Sequence, residues 1–192
     1  MNTPIPDEKI DEIFSLYEKY GNENYIGEAI SQQEHMLQAA ELAYINNDGI
    51  EMVLANLFHD IGHLLAFIDN TIETNHLGAK DHEKIGALYL RKNGFPEIIP
   101  ELVEKHVKAK KYLSFKNPDY IKTLSDASKQ TLEEQGGIMS AEEAKEFEKD
   151  PLFEKSIKTR RYDEMAKEVN YPTRPLSFYK ELCKEYLKNL KK

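Results

Sequence analysis

Four of the six histidines in this chain recur at a nearly constant interval. His35, His59, His82 and His106 are separated by 24, 23 and 24 residues. The second is followed directly by Asp60, and the pair lies inside an apolar run, with Met52-Val53-Leu54-Ala55 before it and Leu64-Leu65-Ala66 after it. An imidazole and a carboxylate in such a run are costly to bury unless both find partners. A metal ion is one such partner. Each of the four histidines falls on a successive helical segment, and facing helices of a bundle build metal sites from single ligands at one depth. Imidazole with carboxylate and no thiolate suits iron, manganese, zinc or nickel. Four histidines with Asp60 and a second, distal aspartate exceed what one ion with an open position needs. They suit two ions bridged by a carboxylate, and Asp60, fixed beside His59, is the natural bridge. His76 sits in a polar stretch and reads as an ordinary surface residue, whereas His82 opens a helix with its neighbours in register.

The elements that must position these groups are helical. Apolar residues recur with a period near 3.6 along most of the chain, and strand alternation is nearly absent. The first helix starts at Pro6, carries Ile10, Ile13, Phe14 and Tyr17 on one face, and ends near Gly21. A loop from Asn22 to Ile30 holds Tyr25, Gly27 and Glu28. Ser31 and Glu34 form a capping box for the helix of His35. Asn46-Asn47-Asp48-Gly49 is a turn, and one continuous helix over about 50–66 is expected to carry the His-Asp pair. A polar connection from Asp69 to Lys80 leads to a helix with His82, closed by Gly94. Pro96 and Pro100 start the helix of His106 and Lys110. Short helices follow near 119–124 and 126–135. A capped helix comes next, at Ser140 and Glu143. A helix from Pro151 to about Val169 holds Arg160 and Asp163, and a final amphipathic helix runs from Leu176, its Lys188-to-Lys192 end frayed. No repeat or linker divides the chain, so residues 1–192 read as a single all-α domain, a helical bundle with a two-metal site in its core.

The bulk composition narrows the partners. With 192 residues the chain can bury a sizeable core. A formal net charge of −8 argues against nucleic acid as a partner and leaves a small anionic substrate open, which needs only a local cationic pocket. A single cysteine, Cys183, excludes an internal disulfide framework and fits a reducing compartment. The polar stretch Met1 to Asp11 is no signal peptide, and no run approaches a membrane span, so a cytoplasmic protein is expected.

His35, the His59-Asp60 doublet and a distal Asp163 match the H…HD…D signature of the HD-domain superfamily, and His82 with His106 marks its two-metal branch. Longer segments extend the match over roughly Tyr17 to Val169. They are Tyr25-Ile26-Gly27-Glu28, Glu34-His35 with Leu37-Gln38-Ala39-Ala40, Leu57 to His63, His106 to Leu113, Gln135-Gly136-Gly137 and Arg160-Arg161-Tyr162-Asp163. In these the chain resembles the mixed-valence di-iron oxygenases of the 2-amino-1-hydroxyethylphosphonate dioxygenase (glycine-forming) type, related in fold to myo-inositol oxygenase.

The resemblance implies that His35, His59, Asp60 and Asp163 hold one iron and that Asp60, His82 and His106 hold the other. The second iron then keeps positions open for substrate and O2, and the pair works as Fe(II)/Fe(III). It implies that His63, Lys110, Ser128 and Arg160 contact the phosphonate, and that Tyr25 and Glu28 close over the site, with Glu28 recognising the substrate amine. The expected reaction uses O2 to cleave the C–P bond of 2-amino-1-hydroxyethylphosphonate, or a close N-substituted relative, giving glycine and phosphate. Its expected supplier is a hydroxylase that makes the 1-hydroxy substrate. Spacing supports the cationic set independently. His63 lies four residues after His59, Lys110 four after His106 and Arg160 three before Asp163, so all three share helix faces with metal ligands. Two other readings fit the ligands alone: an HD-type phosphohydrolase acting on a nucleotide or phosphoester, in which the metals would activate water, and a non-catalytic HD module, which the complete ligand set disfavours.

Overall fold

The computed structural model describes residues 5–25 and 27–190. Eleven helices and one minimal hairpin make up the described chain, in the order α1 (Asp7–Tyr20), α2 (Gln32–Ile45), α3 (Ile50–Phe58), α4 (Ile61–Leu65), β1 (Thr74–Asn75), β2 (Gly78–Ala79), α5 (His82–Lys92), α6 (Ile98–Lys116), α7 (Pro118–Thr123), α8 (Asp126–Glu134), α9 (Ala141–Phe147), α10 (Phe153–Met165) and α11 (Leu176–Asn189). The expected all-α bundle is what forms. Ile26 of the Tyr25–Glu28 motif, the first residues of the polar N-terminus and the last two of the lysine tail lie outside the described residues.

α2, α3, α5, α6 and α10 surround the bundle core, with α2 on α3, α5 on α6, and α10 across both α2 and α6. Their apolar faces meet in one main cluster that includes Phe14, Tyr17, Met36, Leu54, Phe58 and Leu102. A smaller cluster of Tyr112, Met139, Phe147 and Ile157 joins the far end of α6 to α9 and α10. α11 lies against α1 and α3. It buries Tyr179, Cys183 and Leu187, and Lys180 and Lys184 both pair with Asp11 of α1 at 2.8 Å. Both expected capping boxes are present, Ser31 with Glu34 and Ser140 with Glu143.

Two boundaries differ from expectation, and each difference serves the centre. The helix expected over 50–66 breaks between α3 and α4. His59 keeps helical angles while Asp60 leaves them, at φ −107° and ψ 13°. Neighbours in an unbroken helix point about 100° apart, so the break is what lets both side chains face one spot. The carbonyls it exposes are satisfied from nearby: the His59 ring bonds the Asn56 carbonyl at 2.8 Å, and the Tyr17 phenol donates to that of Leu57 at 2.7 Å. The second boundary is the end of α10, at Met165 instead of about Val169. There the Ala166 carbonyl bonds the ring of His35 at 2.8 Å. The Gln38 amide takes both backbone groups of Glu168, at 2.8 and 3.1 Å, so side chains of α2 replace the helical pattern.

Candidate metal centre and substrate pocket

His35 from α2, the His59-Asp60 corner between α3 and α4, and Asp163 from α10 converge in the core. His35 Nε2 lies 3.0 Å from His59 Nε2, 3.5 Å from Asp60 Oδ2 and 3.3 Å from Asp163 Oδ1. His59 Nε2 lies 3.4 Å from Asp60 Oδ2 and 3.8 Å from Asp163 Oδ1. Ligands at about 2.1 Å from one ion sit about 3 to 3.5 Å from one another, which is the spacing seen here. The other Asp60 oxygen turns away. Oδ1 lies 3.3 Å from His82 Nε2 and 3.7 Å from His106 Nε2, and these two nitrogens are 3.3 Å apart. One carboxylate thus offers one oxygen to each of two ligand groups.

The hydrogen bonds on the far side of the rings test whether a cation fits. The Nδ1 atoms of His35, His59 and His106 each bond a backbone carbonyl, at 2.8, 2.8 and 2.6 Å. A carbonyl only accepts, so each Nδ1 carries a proton, and in the neutral ring each Nε2 presents a lone pair. In the neutral rings the Nε2 lone pairs of His35 and His59 therefore meet at 3.0 Å, beside two carboxylates, and a cation between them, a proton or a metal ion, resolves that arrangement.

The protonation tendencies agree. Burial opposes ionisation of both aspartates, yet the His59 imidazole for Asp60 and the Arg160 guanidinium for Asp163 hold them well below the usual carboxylate range. Burial lowers His106 to about 4, with His59 adding to the effect. His35 goes the other way: burial lowers it, but Asp163 and Asp60 overcome that and raise it to about 9. The centre attracts one positive charge and has nitrogens to bind more.

Two local features hold the second group in place. Gly62, one residue into α4, packs directly on the start of α5. A Cβ there would come within 2.1 Å of the His82 carbonyl oxygen. Asp81, in the left-handed conformation at φ 54°, turns the chain into α5 so that His82 is its first residue.

A pocket opens beside the two groups, and the other expected residues line it: Tyr25, Glu28, His63, Lys110, Ser128 and Arg160. His63 does not stack on His59 as an unbroken helix would require. Beyond the break its ring lies on that of His82, centroids 4.2 Å apart. The small hairpin explains its chemistry. β1 and β2 pair Thr74 with Ala79, and the Ala79 N–H donates to His63 Nδ1 at 3.0 Å. Burial favours the neutral ring, so its proton is on Nε2, where His63 acts as a donor. A ligand atom of His63 does approach Asp60 and His82 closely, but a protonated nitrogen suits an anion better than a metal.

Lys110 is buried and donates to Thr131 Oγ1 at 2.9 Å. Burial, then the neighbouring Arg160, lowers its pKa to about 7. Arg160 is buried too. Its Nε donates to Glu164 at 2.9 Å and Tyr120 at 3.1 Å, and its Nη1 to Asp163. Its Nη2 has no hydrogen-bond partner among the described residues. Ser128 sits in the first turn of α8, its N–H on Ser125 Oγ at 3.3 Å. Tyr25 stacks on the ring of His35 at 3.9 Å, and Glu28 pairs with Lys167 at 2.8 Å. Sequence reasoning passed over Thr131, Ser125 and Lys167. Only Lys167 carried a usable signal, standing four residues beyond Asp163.

A helical bundle with histidines on successive helices around a His-Asp doublet defines the HD-domain class, and an HD-domain family model matches residues 33–136. Over 164 residues the chain is 40% identical to a hydroxymethylphosphonate dioxygenase of Gimesia maris, covering 84% of this chain and 80% of the relative. It is 37% identical over 169 residues to the [1-hydroxy-2-(trimethylamino)ethyl]phosphonate dioxygenase (glycine-betaine-forming) of Leisingera caerulea, covering 85% and 83%. It is 44% identical over 180 residues to an uncharacterised protein of Acanthamoeba polyphaga mimivirus, covering 94% and 82%. The chain belongs to the HD-domain family and, within it, to the O2-dependent oxygenases that these dioxygenases represent. No helix among the described residues is long and apolar enough to cross a membrane.

Proposed function

We propose that the protein cleaves the C–P bond of a small 1-hydroxyphosphonate with O2; two of its relatives are named as dioxygenases of such compounds. The balanced reaction is R–CH(OH)–PO3H2 + O2 → R–COOH + H3PO4. With an aminomethyl R it gives glycine and phosphate; with hydrogen it gives formate and phosphate. The observation that carries this reading is the buried Nη2 of Arg160, beside the two ligand groups and without a hydrogen-bond partner among the described residues. A guanidinium donor without a partner there asks for an anion.

His35, His59, Asp60 and Asp163 would hold one iron, and Asp60, His82 and His106 the other. An Fe(II)/Fe(III) pair bound there would supply the one-electron chemistry that activates O2 and acts on the substrate carbon. The chain's own residues do the rest. Arg160 Nη2, Lys110 Nζ and His63 Nε2 donate to the phosphonate oxygens, and Ser128 adds a hydroxyl. The positive charge of Arg160 and Lys110 offsets the dianion, and the four donors together hold C1 against the centre. Tyr25, whose phenol burial and then Asp60 keep protonated, covers the centre and excludes water. Glu28 faces the substituent on C1. A hydroxylase acting on the parent phosphonate would supply the substrate, and the single buried Cys183 is compatible with a cytoplasmic enzyme.

The test is aerobic incubation of the iron-loaded protein with hydroxymethylphosphonate, 2-amino-1-hydroxyethylphosphonate and its N-trimethyl form, following O2 uptake and phosphate. Equal consumption of O2 and release of phosphate with at least one of them is expected. Phosphate release that ignores O2, or none at all beside steady hydrolysis of nucleotides with manganese, would overturn the reading.

A further inference from the structure

Glu28 does not wait empty in the pocket wall. Its Oε1 accepts from Lys167 Nζ at 2.8 Å, both side chains being mostly buried. The same ammonium lies 3.3 Å from Ser125 Oγ and 5.8 Å above the Tyr25 ring. A carboxylate, a hydroxyl and an aromatic face around one site form a set that recognises an alkylammonium. Here the alkylammonium belongs to the chain itself.

Lys167 is held there from both sides. The carbonyl of Ala166 before it is fixed to His35, and the backbone of Glu168 after it is fixed to the Gln38 amide. Its position is therefore tied to α2 and does not depend on the surface.

We propose that Lys167 is a specificity-determining residue: it neutralises Glu28 and competes with any ammonium the substrate carries, setting how far the pocket favours charged over uncharged substituents on C1. The inference rests on the reading of this pocket as a hydroxyphosphonate site. It bears on a distinction already present among the relatives, one named for a phosphonate with a trimethylammonium group and one for a phosphonate without an amine.

The experiment compares kcat/KM for 2-amino-1-hydroxyethylphosphonate and for hydroxymethylphosphonate in the iron-loaded enzyme and in Lys167→Ala and Lys167→Arg. Anaerobic calorimetry of both compounds gives a binding readout that does not need turnover. In Lys167→Ala the amino-to-hydroxymethyl ratio, in kcat/KM and in affinity, should rise about tenfold, the scale of a partly buried charge pair. Lys167→Arg should leave the ratio within about twofold, since the charge stays. Adding Glu28→Gln to Lys167→Ala should remove the gain. An unchanged or lower ratio in Lys167→Ala, or a gain that survives Glu28→Gln, would overturn the proposal. If the wild-type enzyme turns over neither compound nor the N-trimethyl form, the hydroxyphosphonate reading itself falls, which a changed or unchanged ratio would not show.

Discussion

Two clusters of polar groups meet α2 six residues apart, at His35 and Glu41, and they are built on opposite rules. At Glu41 every oxygen meets a donor. Oε2 accepts from the Tyr179 phenol at 2.6 Å and the Arg174 N–H at 3.0 Å, and Oε1 pairs with the Arg174 guanidinium. Arg174 in turn lies 4.2 Å over the Tyr44 ring. Burial opposes the charge on Glu41, but these donors lower its pKa below the usual carboxylate value. At His35, on the same helix, ring nitrogens and carboxylates face one another, with the Nδ1 protons turned to backbone carbonyls and the carboxylates raising the pKa of His35 to about 9. The first cluster is complete within the chain and pins the segment before α11 to the bundle. The second is complete only with a cation. A satisfied network stabilises and an unsatisfied one binds.

The sharpest way to break this contrast is to remove the carboxylate that joins the two ligand groups. Asp60→Asn keeps shape and loses charge. Bound iron, measured by plasma mass spectrometry, should fall to less than half of the wild-type content, and oxygenase activity should drop at least about 10⁴-fold, as for loss of a shared metal ligand. Thermal unfolding of the metal-free protein should move by no more than a few degrees, because no hydrogen-bond donor other than imidazole is orphaned. Retention of the wild-type iron content would refute the bridging role.

Gly62→Ala tests the two halves of the centre separately. The added methyl meets the His82 backbone, which cannot rotate away, so α4 and α5 must part. The group of His35, His59 and Asp163 does not touch this contact. About one iron per chain should remain, with activity down roughly 10²-fold or more. Loss of both irons, or of neither, would contradict the independence of the two groups.

Glu41→Ala should do the reverse of Asp60→Asn. It strands the buried Tyr179 hydroxyl and removes the partner of the half-exposed Arg174, a loss of about 2–3 kcal/mol. For a chain of this size that lowers the melting temperature by on the order of 10 °C. Iron content and kcat/KM well below that temperature should be unchanged. An activity loss without a stability loss would mean that the strap cluster reaches the pocket.

The convergence of these side chains on one spot was legible in the sequence because regular helices translate spacing into position. One histidine per helix and a capping box at Ser31 were enough to align His35, His59, His82 and His106. What was not legible depends on contacts distant in the chain. No Gly or Pro falls at residues 59–60, so nothing local announces the break that turns Asp60 toward both groups. It is stabilised by Tyr17, forty residues earlier. The β1–β2 hairpin is too short to leave a pattern, yet it fixes the proton of His63. Lys167 stands four residues beyond Asp163, but what fixes it is that Gln38 and His35 tie its neighbours down, contacts about 130 residues away in the chain.

Lys110 gives the finest test, because its charge is conditional where that of Arg174 is not. Burial first, then Arg160, lowers its pKa to about 7. Only the protonated form can pair with a phosphonate. In the free enzyme that form is full below about pH 7 and drains away above it, so kcat/KM should fall with rising pH, by up to tenfold per unit. An arginine stays charged throughout this range. Lys110→Arg should therefore remove the falling limb even if its absolute rate is a few-fold lower. Dividing one pH profile by the other, from 6 to 9 at saturating iron, cancels ionisation of the substrate and of every unchanged residue. The wild-type-to-variant ratio should bend downward near pH 7. A flat ratio would place the anion's partner at Arg160 and His63 alone and leave Lys110 a neutral donor to Thr131.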